Sequence, residues 1–137
     1  LAQFEYHRIV TRVADVLAQQ PRIVIVELGA NDGLRGLPVA TSRANLDQIL
    51  ATLTQGEIRV VLAGMTLPPN YGAEYIRGFE SMFVDLARKY RTARIPFLLQ
   101  GVAANPTLML PDGLHPNAAG YRIGVDHVWR ALEPLLE

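Results

Sequence analysis

Apolar residues recur along the chain at two spacings, and the alternation between them predicts the elements. Tyr6, Ile9, Val10, Val13, Val16 and Leu17 fall on one face of a helix that Gln19-Gln20-Pro21 brings to an end. Ile23-Val24-Ile25-Val26, followed by Leu28, shows no polar alternation, the pattern of a strand at 23–28 covered on both faces. The run stops at Gly29-Ala30-Asn31-Asp32-Gly33, where glycine, asparagine and aspartate favour a turn. Residues 34–38 read as a loop. Thr41 or Ser42 can cap a second helix, whose apolar face is Leu46, Ile49, Leu50 and Leu53. Residues 58–63 read as a second buried strand. Adjacent prolines and a glycine make Leu67-Pro68-Pro69-Asn70-Tyr71-Gly72 a loop. Ile76, Phe79, Phe83, Leu86 and Tyr90 lay a third helix on the sheet, residues 95–99 form a third strand, and residues 101–116 are irregular. An irregular stretch of that length in a compact domain is usually functional. Asn117 can cap a last helix with Tyr121, Val125, Val128, Trp129 and Leu132 as its buried stripe.

Helix, strand, helix, strand, helix, strand, helix is the order of a parallel sheet with helices on both faces, a three-layer α/β/α domain. The 137 residues are enough for one domain with a real core, and neither an internal repeat nor a linker interrupts them. In open sheets of this kind ligands bind outside the carboxyl ends of the strands, which directs attention to Asn31 and Asp32.

Composition narrows the classes. Half the residues are hydrophobic and 19% are charged, a globular rather than a disordered balance. Thirteen basic residues offset thirteen acidic ones without a basic stripe, so nucleic acid is not the expected partner. The absence of cysteine removes disulfides, thiolate nucleophiles and thiolate metal sites together. No apolar run approaches the ~18 residues that argue a membrane span, and no signal peptide is visible, although the first residue is Leu1 rather than Met. His7 and His127 fall on helices without a partner at metal-ligand spacing, and no third ligand accompanies Asp112 and His115; neither a metal nor an organic cofactor is expected. The glycines at 29 and 33 follow a strand but lack the Lys-Ser/Thr of a phosphate loop.

The second stretch with chemistry in it is Pro111-Asp112-Gly113-Leu114-His115-Pro116. An aspartate three residues before a histidine, in a loop, can reach the imidazole, fix its tautomer and stabilise the imidazolium that forms when it acts as a base. Alone, the motif is also an ordinary Asp-Gly turn ahead of a helix.

Taken together and in order, Glu27-Leu28-Gly29-Ala30-Asn31-Asp32-Gly33-Leu34-Arg35-Gly36, the 67–72 loop and Asp112-Gly113-Leu114-His115-Pro116-Asn117 resemble the SGNH (GDSL-like) hydrolases, and within them the thioesterase I, lysophospholipase and arylesterase branch. The resemblance runs from about residue 9 to the end. It implies a flavodoxin-like SGNH hydrolase fold, of which residues 1–137 would be the C-terminal two-thirds of a single domain, and a serine hydrolase acting on carboxylic esters or thioesters through an acyl-enzyme. Asn31 would donate its side-chain amide to the oxyanion hole, Asp112 and His115 would complete a Ser-His-Asp triad, and Leu34, Gly36, Leu37 and Pro38 would lie beside the acyl chain. A small acyl ester or thioester is the implied substrate, with no stable membrane insertion and a periplasmic or secreted location. Tyr71 and Met65 fit an acyl pocket or ordinary loop packing.

The chain also departs from the pattern. The family's Gly-Asp-Ser block, which supplies the nucleophile, and its next block, which supplies an oxyanion-hole glycine, are absent. The serines are Ser42, readable as a helix cap, and Ser81, within the third helix. The family's missing N-terminal strands would leave strand 23–28 as a flat apolar edge, an aggregation template unless a further N-terminal segment or a homo-oligomer covers it. Two other readings stand beside the hydrolase: a non-catalytic remnant of the same fold that binds or oligomerises, and a flavodoxin-like binding domain, which leaves the Asp–His pair unexplained.

Overall fold

The computed structural model describes residues 2–137, with side chains from Ile9 onward, so Tyr6 and His7 lie outside the described side chains. Its elements are α1 (Ala2–Ala18), β1 (Ile23–Val26), α2 (Ala30–Leu34), α3 (Val39–Leu53), β2 (Arg59–Ala63), a 3-10 turn at Pro69–Tyr71, α4 (Ala73–Tyr90), β3 (Ala93–Ile95), α5 (Ala118–Leu132) and a closing 3-10 turn at Glu133–Leu135. The three strands form one parallel sheet in the order β1-β2-β3, with Ile25 opposite Val61 and Ala63 opposite Ile95.

The central strand is β2, buried from Val60 to Ala63, and its pleat divides the core. Val60 and Leu62 point with Val26 into the larger cluster, where Leu46, Ile49 and Leu50 of α3 meet Phe79, Met82 and Phe83 of α4 and Val13 of α1. Phe79 and Phe83 pack edge to face at 5.3 Å, the arrangement their ring quadrupoles favour. Val61 and Ala63 point the other way and, with Ile95, meet Val128 and Ala131 of α5. Thus α1, α3 and α4 lie on one face of the sheet and α5 on the other. At the exposed rim of the α3–α4 contact, Lys89 Nζ lies 2.6 Å from Asp47 and Arg43 lies 3.0 Å from Asp85; such solvent-exposed pairs add little to stability, so the apolar contact holds the helices together.

Four expectations need correction. The third strand is 93–95 rather than 95–99, because Pro96 has no N–H to extend the ladder; the last bond at that end runs from the Gly64 N–H to the Ile95 carbonyl at 2.7 Å. Arg94 faces outward between Ala93 and Ile95, and this edge-strand alternation hid the strand in the sequence. Ser42 caps nothing: α3 starts at Val39 and Ser42 lies inside its first turn. Finally, the apolar stripe on α5 is not buried. Tyr121, Val125 and Trp129 are 56%, 63% and 48% exposed, and only their neighbours Val128 and Leu132 are partly covered. Strand 23–28 is likewise shorter, at 23–26, and lies at the sheet edge with Ile25 43% exposed on the α5 face.

Candidate active site

The carboxyl end of β1 runs into α2, a single helical turn with Gly29 as its N-cap at φ 106°, a left-handed angle that glycine adopts without strain. What reads as a turn at 29–33 is therefore the start of this short helix. Asn31 sits in it, exposed to solvent, whereas Asp32 beside it is buried. Among the described residues no hydrogen bond engages the Asn31 side-chain amide. The end of α2 and the loop after it are tied down through the backbone: the Tyr71 hydroxyl donates to the Leu34 carbonyl at 2.6 Å and the Tyr75 hydroxyl to the Leu37 carbonyl at 2.7 Å. Leu34 and Tyr71 pack against the main core, as does Met65; Leu37 is half-buried, and Gly36 and Pro38 are exposed.

After β3 the chain makes a succession of turns closed by an antiparallel bridge between Met109 and Pro116. Within it the Leu110 N–H donates to the His115 carbonyl at 2.7 Å, and Asp112 Oδ1 accepts from the backbone N–H groups of Leu114 (2.9 Å) and His115 (3.0 Å). The second carboxylate oxygen, Oδ2, accepts from His115 Nδ1 at 2.6 Å. These bonds, the His115 N–H first, then the imidazole, then the Leu114 N–H, lower the Asp112 pKa to about 2. Both side chains remain substantially exposed.

Asn117 anchors this loop to α5. Its Oδ1 caps the helix by accepting from Ala119 and Gly120, while its Nδ2 donates to the Thr107 carbonyl at 2.8 Å. The contact is close enough that a Cβ on Gly120 would lie 2.3 Å from the Leu108 carbonyl oxygen. Further along, His127 Nδ1 bonds the Leu98 carbonyl at 2.9 Å, and beyond the helix Arg59, at the start of β2, donates to the Leu135 carbonyl. α5 thus runs back towards the amino ends of the strands and begins at their carboxyl ends. Asn31 thus follows the carboxyl end of β1, and the Asp112–His115 pair lies in the turns that lead into the start of α5.

Neither serine joins them. Ser42 Oγ donates to Asp32 Oδ2 at 2.8 Å in the core, and Ser81 Oγ donates to the Gly78 carbonyl on the exposed side of α4. Among the described residues no group of three His, Asp or Glu could hold a metal ion. No helix among the described residues is long and apolar enough to cross a membrane. A cleft of about 280 Å³ lined by Met65, Thr66, Glu80, Phe83, Arg94 and Phe97 among others contains none of Asn31, Asp112 or His115. The sequence reading missed the buried Asp32–Ser42 bond; the one signal for it is an acidic residue in a first helical turn.

Residues 5–123 match the GDSL-like lipase/acylhydrolase family. The esterase TesA of Pseudomonas aeruginosa is 39% identical over 126 residues, 91% of this chain and 63% of that protein. The thioesterase 1/protease 1/lysophospholipase L1 of Escherichia coli is 36% identical over 117 residues, 85% of this chain and 56% of that protein. The crystal structure of a psychrotrophic esterase, EstA, from Pseudoalteromonas, inhibited by monoethylphosphonate, superimposes with a TM-score of 0.85 at 31% identity, covering 93% of this chain and 70% of that one. The chain therefore spans less than two thirds of the length of these curated relatives. With a parallel three-layer fold and this match over most of its length, the chain belongs to the GDSL-like lipase/acylhydrolase family.

Proposed function

We propose that these residues form the acid–base and oxyanion side of a serine hydrolase acting on carboxylic esters or thioesters. The observation that carries this reading is the 2.6 Å bond between Asp112 Oδ2 and His115 Nδ1, made while the His115 side chain stays 65% exposed. A carboxylate on Nδ1 fixes the tautomer in which Nε2 is the base. Nε2 takes the proton from an attacking serine hydroxyl, the carbonyl oxygen becomes an oxyanion, and the Asn31 amide donates to it. His115 then returns the proton to the departing alcohol or thiol. In the second half it removes a proton from water, which hydrolyses the acyl-enzyme and frees the serine. Leu34, Gly36, Leu37 and Pro38 border the acyl group. The likeness to an esterase inhibited by a phosphonate, a mimic of the tetrahedral intermediate, supports an acyl-enzyme route.

The attacking serine belongs to polypeptide outside these 137 residues, since Ser42 and Ser81 are engaged elsewhere. The packing of α1 supports one point of entry for it. α1 packs on the same face as α3, so a right-handed crossover from a preceding parallel strand through α1 puts that strand against the free edge of β1, next to Asn31. The exposed Ile25 and the Tyr121-Val125-Trp129 stripe of α5 offer apolar surface on the other face for the covering segment. A periplasmic or secreted location accompanies this reading on family resemblance alone.

The placement of the serines also favours a second reading, a non-catalytic domain that only binds or oligomerises. Hydrolysis of a p-nitrophenyl ester series and of acyl-thioesters by the protein from its source cells, beside a His115→Ala variant, separates them. The hydrolase reading expects turnover that depends on His115; turnover indifferent to His115, or none, supports the second.

A further inference from the structure

The segment that carries Asn31 is poorly able to support itself. α2 is one turn long, and isolated helices far longer than that are marginal in water. Its N-cap contributes no side-chain hydrogen bond. Asn31 is exposed, so its own side chain does not anchor it.

The far end of α2 is held by the Tyr71–Leu34 bond and by Gly33 packed on Phe79, and among the described residues Asp32 supplies the one side-chain hydrogen bond within the turn next to Asn31. Asp32 is 6% exposed, although a buried carboxylate is expensive unless it is hydrogen-bonded. Its partner is Ser42, 1% exposed, which reaches from the first turn of α3 with its Oγ donating to Asp32 Oδ2 at 2.8 Å. The Asp32 carbonyl in turn accepts from the Leu37 N–H at 3.0 Å, so one residue ties α2 both to α3 and to the loop beyond it. The carboxylate also faces Tyr75, whose phenol pKa is raised by burial and then by the charge of Asp32.

We propose that the buried Ser42–Asp32 hydrogen bond positions Asn31, by preventing α2 from turning about its own axis and swinging the amide away from the oxyanion. The proposal rests on the hydrolase reading for what Asn31 does, though not for how it is held. Successive residues on a helix are rotated by ~100°, so a tether on residue 32 fixes the direction of residue 31 through the single peptide between them. Ser42 and Asp32 are positioning residues, since neither touches the reacting atoms.

The test compares Ser42→Ala with Ser42→Thr, which keeps the hydroxyl. In the 137-residue chain, NMR relaxation of the Asn31 side-chain amide should show it ordered in the wild type and in Ser42→Thr, and loosened in Ser42→Ala. Amide exchange in α3 and α4 should stay unchanged, which sets local positioning apart from general loosening. In the protein carrying its serine, Ser42→Ala should lower kcat by about tenfold or more with KM within about twofold, as displacement of a catalytic group does, and Ser42→Thr should restore it. If Ser42→Ala does not fold, Ser42→Cys, close in size and a weaker donor, replaces it with the same outcomes. An Asn31 amide equally ordered in all variants, or exchange that rises uniformly through α3 and α4, overturns the proposal. Absence of all hydrolysis would remove the hydrolase reading, while the NMR comparison would still decide whether Ser42 holds Asn31.

Discussion

Asp112 grips His115 twice, by the backbone N–H through Oδ1 at 3.0 Å and by the imidazole through Oδ2 at 2.6 Å. The same four-residue turn therefore fixes where the histidine is and which way its ring points. Asp112→Asn should leave the loop in place but disturb the tautomer of His115, lowering kcat by about 10²–10⁴-fold. Steady-state kinetics beside circular dichroism would check that activity falls while the fold stays.

The same bonds set a pH limit. The Asp112 pKa is depressed, so its contribution to stability is fully present above the ordinary carboxylate value and is lost as pH falls towards about 2. Carboxyl-detected NMR titration should place its midpoint near that value. His115→Ala should raise the midpoint only part of the way to normal, because the residue-115 N–H, the largest cause, remains.

Asn31→Ala should reduce kcat by about 10²–10³-fold with little change in KM, the mark of a donor that acts on the transition state. An equal loss in KM would assign Asn31 to substrate binding instead.

Gly120→Ala should destabilise the protein by about 1–3 kcal/mol, read from urea unfolding. The new methyl would meet the Leu108 carbonyl oxygen, a backbone atom that cannot swing aside. The strain falls on the loop that carries Asp112 and His115, so activity should decline with stability.

Much of this was legible in the sequence, for a physical reason. The Asp112–His115 pair is local, three residues apart, and a turn suffices to join its members. Asn31 follows a run of β-branched residues whose end could be read directly. The layers follow from helical periodicity in α1, α3 and α4. What stayed hidden depends on tertiary contacts. α2 is built from Ala30, Asn31, Asp32, Gly33 and Leu34, mostly weak helix formers, and Gly33 sits so close to Phe79 that a Cβ would come within 2.6 Å of the ring. Ser42 looks like a cap until the structure turns it towards Asp32. On α5 the periodicity picked out an apolar stripe but predicted it buried, whereas Tyr121, Val125 and Trp129 are exposed.

That stripe carries the chain's single tryptophan, Trp129. In the isolated 137 residues its fluorescence should be readily quenched by acrylamide. In a longer polypeptide carrying the proposed covering segment it should be protected and shifted to the blue. Equal quenching in both would place that segment elsewhere.

The most direct test of the central claim, that Asn31, Asp112 and His115 serve a serine supplied from beyond these residues, is intact mass and peptide mapping of the protein from its source cells after exposure to a fluorophosphonate. One adduct is expected, on a serine outside residues 1–137, that disappears in His115→Ala. No adduct, or an adduct on Ser42 or Ser81, would contradict it.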